Sequence, residues 1–590
     1  MSAPGIRDSG FGIRRSEVRD AGDAAILLEL EPVIDPAVNA LAIAIAAAVA
    51  GERLAGVRDV IPTYRSVAVH FDPLAADVEM LREALRRAAD AAPDIQQGSL
   101  IEVPVAYGGA DGPDLQDVAG FAKLAPQAVI ERHCAVEYRV FMLGFLPGFA
   151  YMGSVDPAIA APRKATPRTR IPAGSVGIAG RQTGIYPRQS PGGWQLIGRT
   201  ALRVFDAARV PAALFAAGDR VKFVPTTLLS GADPSGPRSD REPVSYQIAP
   251  HGRSITVLRP GLFTTIQDSG RWGHQDRGVP VAGPMDWSAY RLANALVGNA
   301  LDAAALEVTL AGPELRFEKP AVVAVTGADL SASLDGAPLA LETTHACAGG
   351  SVLRFGERRS GTRAYIAVDG GIDVPRVLGS RATHIVSGLG GLDGRAVIAG
   401  DCLPIGETQS NVIRGPKGSA PLHHNYLAER RGPFGSAKER GTHLRVMRGP
   451  QDDCFDESAF EMLQRTRFTI SPQSDRMGYR LIAGSERTRP TLQSLSTINR
   501  QGRPGPFGPG EMISDATFMG GLQIPPSGDP ILLMADRQTT GGYPQIATVI
   551  TADLPLAGQL APGDWLEFTL CTRDEAITAL VEEEERLRAV

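Results

Sequence analysis

Cysteine is scarce and unpatterned, with five residues in 590 (134, 347, 402, 454 and 571) and no Cys-x-x-Cys pair. That excludes a disulfide framework and a zinc ribbon and fits a reducing compartment. Lysine is rarer still for its class: six residues (123, 164, 222, 319, 417 and 438) among 60 basic ones. None sits in a Met-Lys-Met setting, so no biotin attachment site is expected. None completes G-x-x-x-x-G-K-[ST] either, "GPKGSA" being the nearest string, so a P-loop is excluded. The nine histidines show no His-x-His or His-Glu-x-x-His spacing, which argues against a protein-held catalytic zinc. Long apolar runs are missing: "AVNALAIAIAAAVAG" at 37–51 is too short to span a bilayer and suits a packed helix. The first twenty residues lack the apolar centre of a signal peptide. A net charge of −5 with no basic stripe speaks against nucleic acid as a partner. A cytoplasmic protein, with no membrane partner, is the expectation.

What is present is the composition of a globular chain, 43% apolar and 21% charged, long enough for two to four cores. Residues 20–98 alternate "AAILLEL" and "SVAVHFD" strands with helical patterns at 35–50 and "DVEMLREALRRAADA", a small α+β domain with both helices on one sheet face. From "LIEVPVAYGG" the texture becomes short apolar segments broken by Gly and Pro, as in a β-barrel spanning 99–229. The polar stretch 230–252 reads as a linker. Residues 253–445 and 446–572 read as two further β-rich subdomains, and 573–590 as a terminal helix with an acidic face. The fold expected is mainly β with α+β portions: a small N-terminal α+β domain followed by several barrels.

The chain repeats itself. "IP" at 171–172 and at 524–525 is followed by Gly, a strand and then "RQT", at 181–183 and 537–539. A Gly-Gly-aromatic follows each, Gly192-Gly193-Trp194 and Gly541-Gly542-Tyr543, and each copy closes on "GD" and an alternating strand, "GDRVKFVP" and "GDWLEFTL". A third "GD" lies in "AGDCLPIG" at 399–406. Related barrels before and after the linker follow from this, two of them downstream.

At this point the motifs resemble a known pair. "VFMLGFLPGFAYMG" with "TPRTRIPAGSVGIAGRQTGIYPRQSPGGWQLIGRT" resembles the B subunit of 5-oxoprolinase, the allophanate hydrolase subunit 1 family. "GLFTTIQDSGRWGHQDRGVPVAGPMDWSAYRLANALVGN", "AVDGGIDVPRVLGSRATH", "SDRMGYRL" and "LMADRQTTGGYPQIATVITADL" resemble the C subunit, the allophanate hydrolase subunit 2 family. The same pair forms the carboxyltransferase region of urea carboxylase. The resemblance implies a B/C fusion with cyclophilin-like barrels. It implies opening of 5-oxo-L-proline to L-glutamate with ATP and Mg2+, alongside a separate partner resembling the A subunit of 5-oxoprolinase. The alternatives it leaves are a biotin-dependent carboxyltransferase component acting on urea or a related amide, and a non-catalytic regulator of a kinase. No stretch resembles a biotin carrier or an ATP-grasp domain, which favours the first. A homo-oligomer is left open.

Within these motifs the polar residues are candidate contacts. Asp536 and Arg537 end a buried strand: Arg537 suits an anion, Gln538 and Thr539 a substrate amide, and Gly541 and Gly542, beside Tyr543, close backbone approach to an oxyanion or phosphate. Arg181, Gln182 and Thr183, with Gly192 and Gly193, would form a matching wall. Arg168 and Arg170, with Lys164 and Arg163, place four cations in eight residues. Tyr151 offers a hydroxyl beside a Pro-Gly turn. His133 is a candidate general base, read as lying on a strand face opposite Cys134. Gln267, Asp268, Arg271 and Arg277 would line the cleft, whereas Asp286 reads as the N-cap of the helix closing at Gly298. Asp475-Arg476 looks like Asp536-Arg537, and Asp475, Asp515 and Asp536 are the candidates to meet Mg2+. His423 and His424 read as loop. The Gly/Pro-rich segment 499–526 looks long for the family and bears on the cleft.

Overall fold

The computed structural model describes residues 17–91, 98–227, 252–408, 441–484 and 512–589. Most of the linker, His423–His424 and residues 499–511 of the Gly/Pro-rich segment lie outside them.

Asp35 caps the helix Pro36–Glu52 by accepting from the Ala37 and Val38 amides, and Asp77 likewise caps Val78–Asp90 through the Glu79 and Met80 amides. Each cap is worth about 1 kcal/mol. Both helices lie on one face of a sheet ordered Glu17–Asp20, Ala25–Glu29, Ser66–Phe71, Val57–Pro62, as their periodicity predicts. Ser66–Phe71 is buried at every position because its second face is covered too. Val67, Val69 and Phe71 meet the helices, while Ala68 packs on Ala516 and Phe518 from the far end of the chain. The N-terminal unit is thereby fixed to the downstream half.

Two closed barrels follow, of one topology. In the first, Leu100–Tyr107 runs parallel to Arg220–Pro225, then come Glu137–Leu143, Ala150–Gly153, Gln182–Ile185, Ser175–Ala179 and Gln195–Arg199, which returns to the start. In the second, Gly441–Arg448 runs parallel to Trp565–Leu570, then Phe468–Ile470, Gly478–Ala483, Ile531–Leu533, Gly521–Gln523 and Gln545–Val549. Each barrel carries a two-stranded flap at the same point in the order: Arg168–Ile171 with Ser190–Gly192, and Asp515–Ala516 with Thr540–Gly541.

The expected second downstream barrel is instead a sandwich. A six-stranded sheet containing Ser254–Arg259 and Glu314–Phe317 stacks on a five-stranded one containing Phe263–Gln267, Ala305–Thr309 and Ser360–Val368, around one apolar core. The "GD" at 400–401 belongs to this body: Asp401 pairs with Arg395, and the strand Cys402–Pro404 is an edge of the six-stranded sheet. A dipeptide turn signal does not discriminate a barrel from a sandwich. The helix Trp287–Leu296 packs on the outer face of the five-stranded sheet, capped by Asp286 through the Ala289 amide at 2.9 Å. The terminal helix Arg573–Arg588 starts on a Thr572–Glu575 capping box. Among the described residues no helix is long and apolar enough to cross a membrane.

Candidate functional site

The site is built around the segment 268–286, which leaves the strand Phe263–Gln267 and reaches all the other bodies. Its root is held by three residues expected in the cleft. Gln267, fully buried, donates to Thr265 and the Thr383 carbonyl and accepts from the Gly283 amide. Asp268 accepts from the Gly270 amide, the Ser380 hydroxyl and the Arg381 amide. Arg271 donates to the carbonyls of Val377 and Ala382, both at 2.8 Å. These roles are to fold the segment.

Its tip touches the N-terminal unit and both barrels. Gly273 and Gln275 donate their amides, and Gln275 its side-chain Nε2, to the buried carboxylate of Asp59 at 3.0–3.2 Å. The Arg277 carbonyl accepts from Gly148 of the upstream barrel at 2.9 Å. Gln275 Oε1 accepts from Arg537 Nη2 at 3.1 Å. The adjacent Gly144 is required by space rather than by φ: a Cβ there would lie 1.9 Å from Thr540 Oγ1. Upstream barrel, downstream barrel and segment 268–286 therefore meet closely at Gly144, Thr540 and Gly278.

Arg537 is 3% exposed, and no carboxylate among the described residues contacts it. Its other bond, to the Thr517 carbonyl, is long at 3.4 Å. Burial draws its pKa down to about 10, with the Asp59 charge opposing. His70 stands beside it against Phe518; burial, then Arg537 and Arg58, hold its pKa well below the usual range, so the imidazole is neutral. Burial raises Asp59 despite its three donors. A neutral base, a carboxylate and an under-neutralised guanidinium thus share one water-poor junction.

Next to it the hairpin Thr63–Ser66 wedges between the barrels. Tyr64 packs on Phe141 at 5.0 Å, accepts from Gln182 Nε2 and lies 6.3 Å from Tyr151. Ser66 donates to Asp515. Here Gln182 Oε1, Asp515 Oδ2, Thr539 Oγ1 and His70 Nε2 are buried without a protein partner among the described residues. A buried polar group left unsatisfied costs roughly 1–3 kcal/mol, so each of these atoms marks a place where a small polar ligand or water belongs.

The two Asp-Arg dipeptides do not act as like pairs. Arg476 makes two bonds to Asp536, at 3.0 and 2.9 Å, and also meets Glu307 and the Gly283 carbonyl. Glu307 in turn accepts from Tyr365 and the Met285 amide. The acid of one dipeptide is tied to the base of the other, joining barrel to sandwich, with one Arg476 N–H on each Asp536 oxygen. Asp475 is exposed and caps the Met477 and Gly478 amides. Among the described residues no three His, Cys, Asp or Glu side chains gather to hold a metal.

Topology also corrects the register of the repeat. Gln182 opens the strand after Ser175–Ala179, and Arg181 before it is an exposed turn residue. Arg537 instead follows the strand Ile531–Leu533 and precedes the flap, the position of Arg188 upstream. The matching strings are Arg188-Gln-Ser-Pro-Gly-Gly-Trp and Arg537-Gln-Thr-Thr-Gly-Gly-Tyr. Arg188 is the residue that matching "RQT" missed, and its fixed spacing to Gly-Gly-aromatic was the available signal. Side-chain crowding alone accounts for two of the four glycines. A Cβ at Gly192 would lie 2.5 Å from the Tyr186 hydroxyl and one at Gly541 2.7 Å from Gln523 Nε2, whereas Gly193 and Gly542 meet ordinary contacts only.

Other candidates lie apart. His133 is on the helix Pro126–Ala135, not on a strand, because Pro126 starts a helix and Val129 and His133 bury one face. It is enclosed in the upstream core between Tyr107 and Thr183, stacked on Phe223, and burial pushes its pKa down to about 3. Arg168 is paired with Asp114 at 2.6 Å, as is Lys164 at 2.8 Å. Gln538 is bound through its carbonyl by Thr517, and Tyr543 is half-buried past the flap. A cleft of about 750 Å³ opens elsewhere, lined by Arg19, Asp20, Arg82, Asp452, Asp453 and Arg573. Its charges are paired with one another.

Against known proteins, the family described as carboxyltransferase domain, subdomain C and D, matches residues 16–215, and that described as carboxyltransferase domain, subdomain A and B, matches 277–570. The chain is 34% identical over 325 residues to the C subunit of 5-oxoprolinase from Escherichia coli (strain K12), covering 55% of this chain and 94% of that protein. It is 42% identical over 222 residues to the B subunit of 5-oxoprolinase from Bacillus subtilis (strain 168), covering 36% of this chain and 92% of that protein. The crystal structure of TTHA0988 superimposes with a TM-score of 0.77 at 33% identity, covering 94% of this chain and 100% of that one.

Proposed function

The chain belongs to the carboxyltransferase-domain family, with subdomains C and D ahead of A and B on one polypeptide, and we propose that it is the fused B and C component of an ATP-dependent 5-oxoprolinase. The observation that carries this reading is coverage: one chain spans 94% of a C subunit and 92% of a B subunit, each named for that enzyme. The substrate is 5-oxo-L-proline, the product L-glutamate, and the partner a protein resembling the A subunit of such an enzyme.

A lactam is resonance-stabilised and a poor electrophile. Phosphorylation of its carbonyl oxygen by ATP, with release of ADP, activates the carbon; water adds there, the ring C–N bond breaks as the nitrogen takes a proton, and a second water hydrolyses the resulting acyl phosphate to L-glutamate and phosphate. The junction is suited to the charge that develops on the carbonyl oxygen. Arg537 offers a guanidinium that no contacting carboxylate neutralises among the described residues, in surroundings where an electrostatic contact is worth far more than in water. Asp59 fixes Gln275 so that its carbonyl oxygen faces Arg537, which orients the guanidinium. Neutral His70, with Nε2 unpartnered among the described residues, is the group at hand to accept a proton from water. Mg2+ in this reading travels with the phosphates, and no step is assigned to a metal held by this chain.

The test is ADP release by the purified chain with its A-subunit-like partner. Release that requires 5-oxoproline and yields glutamate supports the reading, and Arg537→Ala then lowers kcat/KM by about 100-fold or more. An assembled, folded complex without 5-oxoproline-dependent turnover rejects it in favour of carboxyl transfer to an amide.

A further inference from the structure

The upstream counterpart of Arg537 has no assigned role. Arg188 occupies the same position in the same topology, but it faces the sandwich instead of segment 268–286. No ion pair or hydrogen bond reaches its guanidinium from any described residue, and it is half-buried, so solvent still has access. Against it lies the loop Ser387–Gly394, read "SGLGGLDG". Gly388 has φ +62°, and a Cβ there would stand 3.2 Å from an Arg188 terminal nitrogen. Two residues on, a Cβ at Gly390 would stand 2.7 Å from Arg271 Nη2. The loop therefore packs closely against both guanidinium groups.

Neither cation is neutralised by a contact from a described residue. Arg271 is fully buried, its bonds go to carbonyls, and its Nη1 has no partner among those residues. The carboxylates whose charges act on Arg271 are committed elsewhere, Asp268 to Ser380 and two amides, Asp536 to Arg476. The Ser387 hydroxyl, next to Gly388, is also buried without a partner there. An arginine with unspent donors, an orphan hydroxyl and a glycine-rich turn at one intramolecular seam are complementary to a planar or tetrahedral oxyanion.

We infer that Arg188, with Ser387, forms an anion subsite for a carboxylate or phosphate group at the seam between the upstream barrel and the sandwich. The subsite deepens the proposed function and rests on it only for the source of the anion, the carboxylate of the amide substrate or a phosphate of the nucleotide. Burial lowers the pKa of Arg188, as expected of a cation awaiting a counter-ion.

The test uses the full chain without any partner, so that it stands apart from turnover. Calorimetry and thermal melts are run with inorganic phosphate and with 5-oxoproline, against chloride at equal ionic strength. One oxyanion probe is expected to bind saturably and raise the melting temperature of the wild type. Arg188→Gln should bind it at least about tenfold more weakly, and Arg188→Lys, which keeps charge but not the fork, should fall between. Without anion, Arg188→Gln should melt at or above the wild type, since it removes an uncompensated charge. Phosphate-selective binding would place the nucleotide at the seam, and 5-oxoproline-selective binding the substrate carboxylate. Failure of both probes to bind the wild type, equal binding by Arg188→Gln, or a lower melting temperature of anion-free Arg188→Gln would each overturn the inference.

Discussion

Asp475 and Asp536 stand in the same dipeptide, yet neutralising them should have opposite consequences. Asp536→Asn keeps the shape but gives up one negative charge in a buried cluster of Arg476, Asp536, Glu307 and Arg363, whose formal charges cancel. It also turns one acceptor toward an Arg476 N–H into a donor. Breaking one side of a buried ion pair costs about 3–5 kcal/mol, because the partner is left uncompensated. With a urea slope of about 3 kcal/mol per molar, the midpoint of the downstream transition should fall by about 1 M or more. Asp475→Asn retains a side-chain oxygen for the Met477 and Gly478 amides, so its midpoint should shift by no more than about 0.2 M. Tryptophan fluorescence provides the assay, since Trp287 donates to the Thr551 carbonyl across the sandwich–barrel contact. An Asp536→Asn protein with the wild-type midpoint and no turnover would refute the reasoning, making Asp536 a chemical group rather than a structural one.

Two more outcomes follow from packing and titration. Gly144→Ala should loosen the three-body junction by about 1–3 kcal/mol, read as a lowered melting temperature. Adding Thr540→Ala should restore only part, because the remaining Thr540 Cβ still lies 2.8 Å from the new methyl; full restoration would mean the backbones yield freely. His133, neutral in the fold with its pKa near 3, binds its proton only when the barrel opens. Its contribution is present above pH ~6.5 and is lost as pH falls, by about 2 kcal/mol at pH ~5. His133→Gln should therefore be less stable at neutral pH but show a shallower decline toward acid, measured by urea midpoints; an unchanged slope would contradict the assignment.

What could be read from the chain was local. Asp286 and Gly298 delimit a helix because capping is decided within a few residues, and the "IP … GD" repeats mark barrels because strand and turn chemistry is short-range. The failures are long-range or ambiguous in register. "RQT" matched letters, but a strand's place in a barrel is set by its pairing, and Arg188 pairs off with Arg537 only once both barrels close. His133 fell close to a strand start and was read as its continuation, although Pro126 signalled the helix. Asp59 and His70 carry no sequence signal, since each is an ordinary strand residue until segment 268–286 and the downstream barrel arrive from far along the chain.

The asymmetry between the two barrels explains why the duplicated motif need not do one job twice. Both copies keep an arginine shortly before a glycine, Gly192 or Gly541, that a neighbouring polar side chain forbids from carrying a Cβ. The flap fixes where each arginine emerges, but the partner body decides what it meets. Arg537 meets a glutamine oriented by Asp59, and Arg188 meets a glycine-rich turn. Both encounters need the halves assembled: Asp59 to Gln275 and Ser66 to Asp515 are bonds between the upstream and downstream halves. On one polypeptide those contacts form intramolecularly, so completion of both arginine sites does not depend on protein concentration. Dilution should leave anion binding at either arginine unchanged, whereas severing the chain between the halves makes it concentration-dependent.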